Sequence, residues 1–392
     1  MKVCLLSRRT APEFSGSGIR SVKQAKELVA HGHQVSLLTA TPTPDRVSDI
    51  AIESVGLPAW FYGDNSVSEP FRIPYLPVLV AKFVRAFTAT RPDVVHAIGV
   101  GSWFSLAGLF AAQLLRIPTV AEVTLVDGDD PVTLARNRLG ALKVPLLRGA
   151  SATVCISPAL VERCIQADFP LARVHLISNP VDTERFAPAS PDERRRLARE
   201  FEIAHAEHVF VSVGAVIDRK GARDIAEAFA RFHEQTGEGH LVFVGPLDDD
   251  DYVGRIRQYV RDNGLERRVV FAGRSDRVDA WMKVADTFVF ASRSEGLGTV
   301  LIEAMASGLP VVSRKLEGIT DYLLGDDEYG LSVNSTDDMV EAMLQIYQDP
   351  GFRDRISGAG RTRAVEHFSS AHICESYEQL YSDVVHTTTS HP

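Results

Sequence analysis

The stretch from Thr287 to Ser313 reads TFVFASRSEGLGTVLIEAMASGLPVVS. It opens with an apolar run of strand length, Thr287 to Ala291, and passes through a loop carrying Gly296 and Gly298. A helix then begins near Thr299, Gly308 stops it, and a second strand-length run follows from Pro310 to Ser313. Strand, loop, helix and strand in succession is the unit from which helix-covered parallel sheets are built.

The same alternation extends outward in both directions. Upstream in the same half, strands are predicted at His208 to Val213, Leu241 to Val244 and Val269 to Ala272. In the amino-terminal half they fall at Lys2 to Leu6, Gln34 to Ala40, Asp93 to Ile98, Thr119 to Thr124, Ser151 to Ile156 and Val174 to Ile177. Between the first two, Ile19, Val22, Ala25, Leu28 and Val29 recur at helical spacing and Gly32 closes the helix. The pattern breaks after Pro180 at VDTERFAPASPDERRRLAREFEI, which is polar, charged and proline-bearing. The expected class is therefore α/β: two doubly wound, Rossmann-like parallel-sheet domains over residues 1–180 and 206–366, with a linker at 181–205. A last helix over 367–385 carries Ile373, Tyr377, Leu380 and Tyr381 at helical spacing, and 386–392 reads as a frayed tail. Open sheets of this kind bind ligands at the carboxyl ends of their strands, and two such ends facing each other make one cleft.

Composition narrows the class. With 392 residues, 45% hydrophobic and 24% charged, either half can bury a core. A net charge of -9 argues against a general nucleic-acid binder, which needs cationic excess against phosphates. The start, MKVCLLSRR, enters a strand without a leader-like apolar run, and the longest apolar stretch is broken at Lys82 and Arg85, short of the roughly 18 residues of a span. A cytoplasmic protein is expected. The segment FRIPYLPVLVAKFVRAFTATR mixes Phe71, Leu76, Val80, Phe83 and Phe87 with Arg72, Lys82, Arg85 and Arg91. It suits either a peripheral contact with the inner face of a membrane or a partly buried helix with solvated basic ends. Cys4, Cys155, Cys164 and Cys374 show no metal-ligand spacing and read as reduced packing residues.

Three strand-to-helix loops carry candidate chemistry. In SRSEGLGTVLIEAMASG, Thr299 and Glu303 share a face at the first helical turn, where unpaired backbone amides favour an anion. Glu295 sits on the glycine-bearing loop beside them. Two carboxylates next to a phosphate site are hydroxyl acceptors, and sugars and ribose supply hydroxyls. In VSVGAVIDRKGARDIAEAF, Lys220 can offset charge on a diphosphate, with Arg219 as a second cation. In SRRTAPEFSGSGIRS, Gly16 and Gly18 either bring backbone amides near a phosphate or merely turn a surface loop.

With these residues in place, the chain resembles the retaining GT-B glycosyltransferases of family 4, whose signature is a glutamate, seven residues, then a second glutamate. Here these are Glu295 and Glu303, flanked by EGLG and EAMASGLPVV. CISPALVERC and HLISNPVDTERF, at the end of the first domain, are similar as well. The resemblance implies that Glu295 contacts the donor sugar, that Glu303 holds the ribose hydroxyls, and that amides near Gly298, Thr299 and Val300 hold the diphosphate. It also implies transfer from a UDP- or GDP-sugar to a glycan, lipid-linked or small-molecule hydroxyl with retention of configuration. Glu295 and Lys220 are the residues closest to the chemistry. No cofactor and no metal ion are expected, since amides and lysine serve the phosphates.

Two positions depart from the family pattern. The family's arginine five residues before the lysine is Ala215, and its histidine after PTVAEVTL falls at Thr124. Thr124, His96 and the acids of VDGDDP remain acceptor-side candidates. Asp127, Asp129 and Asp130 either bind acceptor hydroxyls or cap the following helix, and Asp130, directly before Pro131, reads as the cap. The departures keep two other classes open: a nucleotide-sugar epimerase or hydrolase of the same architecture, and a nucleotide-sugar-binding protein with weak turnover.

Overall fold

The computed structural model describes residues 1–10, 16–41, 46–47, 50–58, 73–137, 139–203 and 208–389. Its contacts divide the chain into two compact units, Met1–Pro180 with Ser370–Pro392, and Val181–Ser369.

The first unit is built on an eight-stranded sheet. Its strands are β1 (Lys2–Ser7), β2 (Gln34–Thr39), β3 (Arg46–Val47), β4 (Ile50–Ser54), β5 (Val94–Ile98), β6 (Thr119–Val123), β7 (Ala152–Cys155) and β8 (Val174–Leu176). They are ordered β3-β4-β2-β1-β5-β6-β7-β8, and every pairing but β3 with β4 is parallel. β5, β6 and β7 are buried along their whole length, as strands covered by helices on both faces must be. Their apolar residues join Leu28 and Leu37 in one core, and Ile373, Tyr377, Leu380 and Tyr381 of the terminal helix Ser370–Thr389 complete it.

The second unit holds β9 (Val209–Val213), β10 (His240–Val244), β11 (Val269–Gly273), β12 (Thr287–Phe290), β13 (Val311–Arg314) and β14 (Leu331–Val333). They form an all-parallel sheet ordered β11-β10-β9-β12-β13-β14. The strand order reverses between β9 and β12, so this sheet's crevice lies at the carboxyl ends of those two strands.

Residues 181–205 are not a free linker. Ser190 caps the helix Pro191–Glu200 by accepting from the Glu193 amide. Leu197 is buried, and Phe201 stacks on Trp281 with ring centroids 3.9 Å apart. The apolar face hidden among the arginines binds this segment to the second unit. The helix Pro350–Phe368 ends in extended backbone at Ser369, so the terminal helix starts at Ser370 and continues to Thr389, into the stretch read from sequence as a tail.

Candidate active site

The switch point of the second unit brings together the two loops that carry Lys220 and Glu295. After β9 the chain turns through a 3-10 segment, Asp218–Lys220, into the helix Ala222–Thr236. Gly221 makes this path feasible: its φ is +67°, and a Cβ there would lie 2.2 Å from the Ala291 carbonyl oxygen at the end of β12. The loop therefore presses on the neighbouring strand end. Hydrogen bonds knit the two loops, with the Arg293 amide donating to the Arg219 carbonyl at 2.8 Å and the Arg293 guanidinium to the Asp218 carbonyl at 2.6 Å. Asp224 anchors the same guanidinium at 3.1 Å and accepts from Arg314 at 2.6 Å.

On this frame Lys220 Nζ donates to Glu295 Oε1 at 2.5 Å and lies 5.6 Å from the centre of the Phe290 ring. Arg219, the second cation, reaches the same carboxylate. The 3-10 turn directs it to the Ser294 carbonyl and to the same Glu295 oxygen, at 3.4 Å. Lys220 and Glu295 are 19% and 12% exposed while Arg219 is 46% exposed, so the lysine pair is the better sheltered from water. Gly298, at φ +79°, starts the helix Thr299–Ala306 without a side-chain cap. The first turn of this helix, where backbone amides favour an anion, thus begins four residues after Glu295. Thr299, Val300 and Glu303 are half-buried along one edge of that helix.

The first unit's candidates are arranged differently from what sequence suggests. Asp129 is 7% exposed, and its carboxylate accepts from the Thr124 amide and hydroxyl, both at 2.8 Å, the Leu125 amide at 2.7 Å and the Val100 amide at 3.1 Å. Its oxygens are spent on tying the loops after β5 and β6 together, which is loop organisation rather than acceptor binding. Burial nonetheless pushes its pKa up to about 6 against those four hydrogen bonds. Thr124 is half-buried with its hydroxyl committed to Asp129. Asp130 caps the helix Pro131–Arg136 through the Thr133 amide, as expected. Gly16 and Gly18 are helical residues, in Gly16–Ala30, rather than a turn before it. Residues 11–15 of that loop lie outside the described residues.

His96 is a correction too. It sits in the middle of β5, fully buried, where its Nδ1 pairs with the Tyr381 hydroxyl at 2.7 Å and its Nε2 lies 3.1 Å from Glu122. Glu122 belongs to a buried cluster that sequence reasoning misses. It takes a salt bridge from Arg20 and a hydrogen bond from Tyr377 at 2.8 Å, and Arg20 also donates to Asn179. Burial works to raise the Glu122 pKa, but Arg20, His96 and Tyr377 outweigh it and hold the carboxyl below its ordinary range. The signal was an acid inside the apolar run PTVAEVTL, together with two tyrosines on the terminal helix.

Among the described residues, one group could offer three metal ligands, His31, Cys374 and Glu378 in the first unit. Two of its members already pair, His31 Nδ1 lying 3.0 Å from Glu378.

Two Rossmann-like units, with an uncapped helix start and paired cations at the second unit's switch point, define a GT-B protein. A family model described as Glycosyl transferases group 1 matches residues 193–363, and a second, described as Glycosyl transferase 4-like domain, matches residues 15–180. The chain is 30% identical over 248 residues to the lipopolysaccharide core biosynthesis glycosyltransferase LpsE of Rhizobium meliloti, covering 62% of this chain and 68% of LpsE. It is 24% identical over 383 residues to N-acetyl-alpha-D-glucosaminyl L-malate synthase of Bacillus anthracis, 95% of each chain. Among solved structures, Anabaena HepE in complex with UDP superposes with a TM-score of 0.80 at 20% identity, covering 98% of this chain and 100% of HepE. The chain belongs to the group 1 glycosyltransferases.

Proposed function

We propose that this glycosyltransferase takes a UDP- or GDP-sugar at the β9–β12 switch point and transfers the sugar with retention, without a metal ion. The observation that carries the reading is the convergence of Lys220 and Arg219 on Glu295, four residues before the Gly298-started helix. The helix amides and Lys220 hold the diphosphate, Glu303 accepts from the ribose hydroxyls and Glu295 from the sugar's. Binding of UDP by HepE supports a uridine donor. Arg219, on the same carboxylate as Lys220, supplies the second cation that Ala215 lacks.

In the transfer, the sugar's C1–O bond to phosphate breaks and a C1–O bond to the acceptor forms on the same face. The acceptor's proton passes to the departing phosphate oxygen. No side-chain base is required, so a threonine at position 124 is compatible with turnover. Lys220 and the helix amides stabilise the charge that builds on the phosphate, and positioning does the rest. The acceptor hydroxyl belongs to a glycan, a lipid-linked sugar or a small molecule, and its recognition is assigned to the loops of the first unit.

The test is a panel of UDP- and GDP-sugars incubated with and without acceptor extracts, in the presence of EDTA. Nucleotide release that depends on acceptor and survives EDTA, with an unchanged anomeric signal in the product's NMR spectrum, is the expected result. Isomerised free sugar, acceptor-independent release, or an inverted product overturns it.

A further inference from the structure

The helix Leu76–Thr90 offers a different face from the one its sequence suggests. Phe83 and Phe87 turn inward, fully buried, and Phe83 meets the Phe104 ring at 5.1 Å. Lys82 is tied to the carbonyls of Val55 and Gly56, both at 3.1 Å. Phe71 and Arg72 lie outside the described residues. The outward face instead forms one wall of a groove of about 730 Å³, where Val80 and Val84 oppose Trp103 and Phe110 of the helix Trp103–Leu114, and Leu142 and Leu146 of the helix Gly140–Arg148. Its walls are apolar, with Arg85 as the charged lining residue. The same three helices expose further apolar surface, with Leu142 65%, Leu114 58% and Val78 45% exposed. An open apolar surface of this extent marks a place where something else binds.

Charge decides what. Residues 73–92, 94–121 and 131–161, which contain these three helices, hold eight lysines and arginines and no aspartate or glutamate, in a chain of net charge -9. The acids between those segments are engaged: Asp93 accepts from the Lys2 amide, Asp127 pairs with Arg163, and Glu122, Asp129 and Asp130 are buried. Arg85, Arg91, Arg116 and Arg136 are exposed. Arg85 stands in the groove itself, the other exposed arginines belong to the same acid-free segments around it, and the excess acid lies elsewhere in the chain.

The helices Leu76–Thr90 and Trp103–Leu114 precede and follow β5, so each begins near the carboxyl edge of the sheet, and the groove is lined from their first ten residues. We propose that this groove receives acyl chains of anionic phospholipid and seats the first unit on an anionic bilayer face. Apolar walls take the chains while the arginines meet the headgroup charge. Such seating goes beyond the transfer reaction and does not depend on which donor is used.

Co-flotation with vesicles tests it, comparing phosphatidylcholine alone with phosphatidylcholine containing phosphatidylglycerol, at low and high salt. The protein is expected to float with the anionic vesicles and to be released by high salt. Phe110→Asp with Leu142→Asp, both at solvent-accessible positions, should weaken partitioning at least tenfold, and Arg85→Glu at least about fivefold. Nucleotide binding, followed on the same samples by calorimetry, reports folding and keeps this outcome separate from that of the donor site. Failure to float, equal binding to neutral vesicles, or binding unmoved by the double substitution overturns the proposal. So does a dimer in solution that the double substitution breaks, since the face would then be covered by a second copy.

Discussion

Replacing Glu122 with glutamine tests the buried cluster that fastens the terminal helix to the first unit. Glu122 is fully buried and meets Arg20, His96 and the Tyr377 hydroxyl. Glutamine keeps the shape and a partner for Tyr377 but leaves the Arg20 guanidinium, with a side chain only 11% exposed, facing a neutral amide. Removing one partner of a buried pair costs about 3–5 kcal/mol. The Asn179 carbonyl oxygen still accepts from Arg20, which places the expected loss near the lower figure, about 3 kcal/mol. In a domain of this size that lowers the melting transition by roughly 6–12 °C. The pH dependence carries a sign. The Glu122 carboxyl is held below its ordinary value in the fold, so its contribution is complete above the unfolded carboxyl range and is lost as pH falls through the folded value. Wild type and Glu122→Gln should therefore differ most near neutrality and converge in acid. Scanning calorimetry of both proteins across that range is the assay. A neutral-pH loss under about 1 kcal/mol, or a gap that persists in acid, refutes the reasoning.

Other expectations follow from single positions. Gly221→Ala forces a side chain into the Ala291 carbonyl at positive φ, so stability should fall by at least about 2 kcal/mol and donor affinity with it, as urea unfolding and calorimetry would show. Lys220→Ala should lower kcat/KM by about 10²–10³, whereas Arg219→Ala, at the more exposed cation, should cost no more than about tenfold. Asp129, raised by burial to about 6, binds its proton more tightly folded than unfolded. That contribution is complete below the unfolded value and fades as pH rises through about 6, and carboxyl NMR should show a titration near there. A titration below 4 would mean that the four hydrogen bonds outweigh burial.

The alternation that begins at Thr287 was sufficient to read eleven of the fourteen strands, because buried parallel strands are continuous apolar runs. β3, β4 and β14 escaped: they lie at or next to sheet edges, span as few as two or three residues, and β4 buries only part of its length. Lys220, Glu295 and Gly298 were legible because each lies in a glycine-bearing loop that carries charge between an apolar strand and a helix. Arg219 was legible as a second cation, but not the carboxylate it reaches, since a 3-10 turn sets where adjacent side chains point and leaves no mark in the sequence. The Arg20–Glu122–Tyr377 cluster joins residues more than a hundred positions apart, and no local pattern encodes such a pairing. Glu303 was legible as the residue four after Thr299 on the same face of an apolar helix, while the ribose role proposed for it comes from the family resemblance and not from that placement.

The central claim is that the Gly298-started helix and its flanking acids form the donor site. Titrating UDP-sugar into wild type and Glu303→Ala by isothermal calorimetry tests it most directly. Loss of two charge-assisted hydrogen bonds to ribose predicts about a hundredfold weaker binding, on the order of 2.7 kcal/mol. Equal affinity of the two proteins would contradict the account.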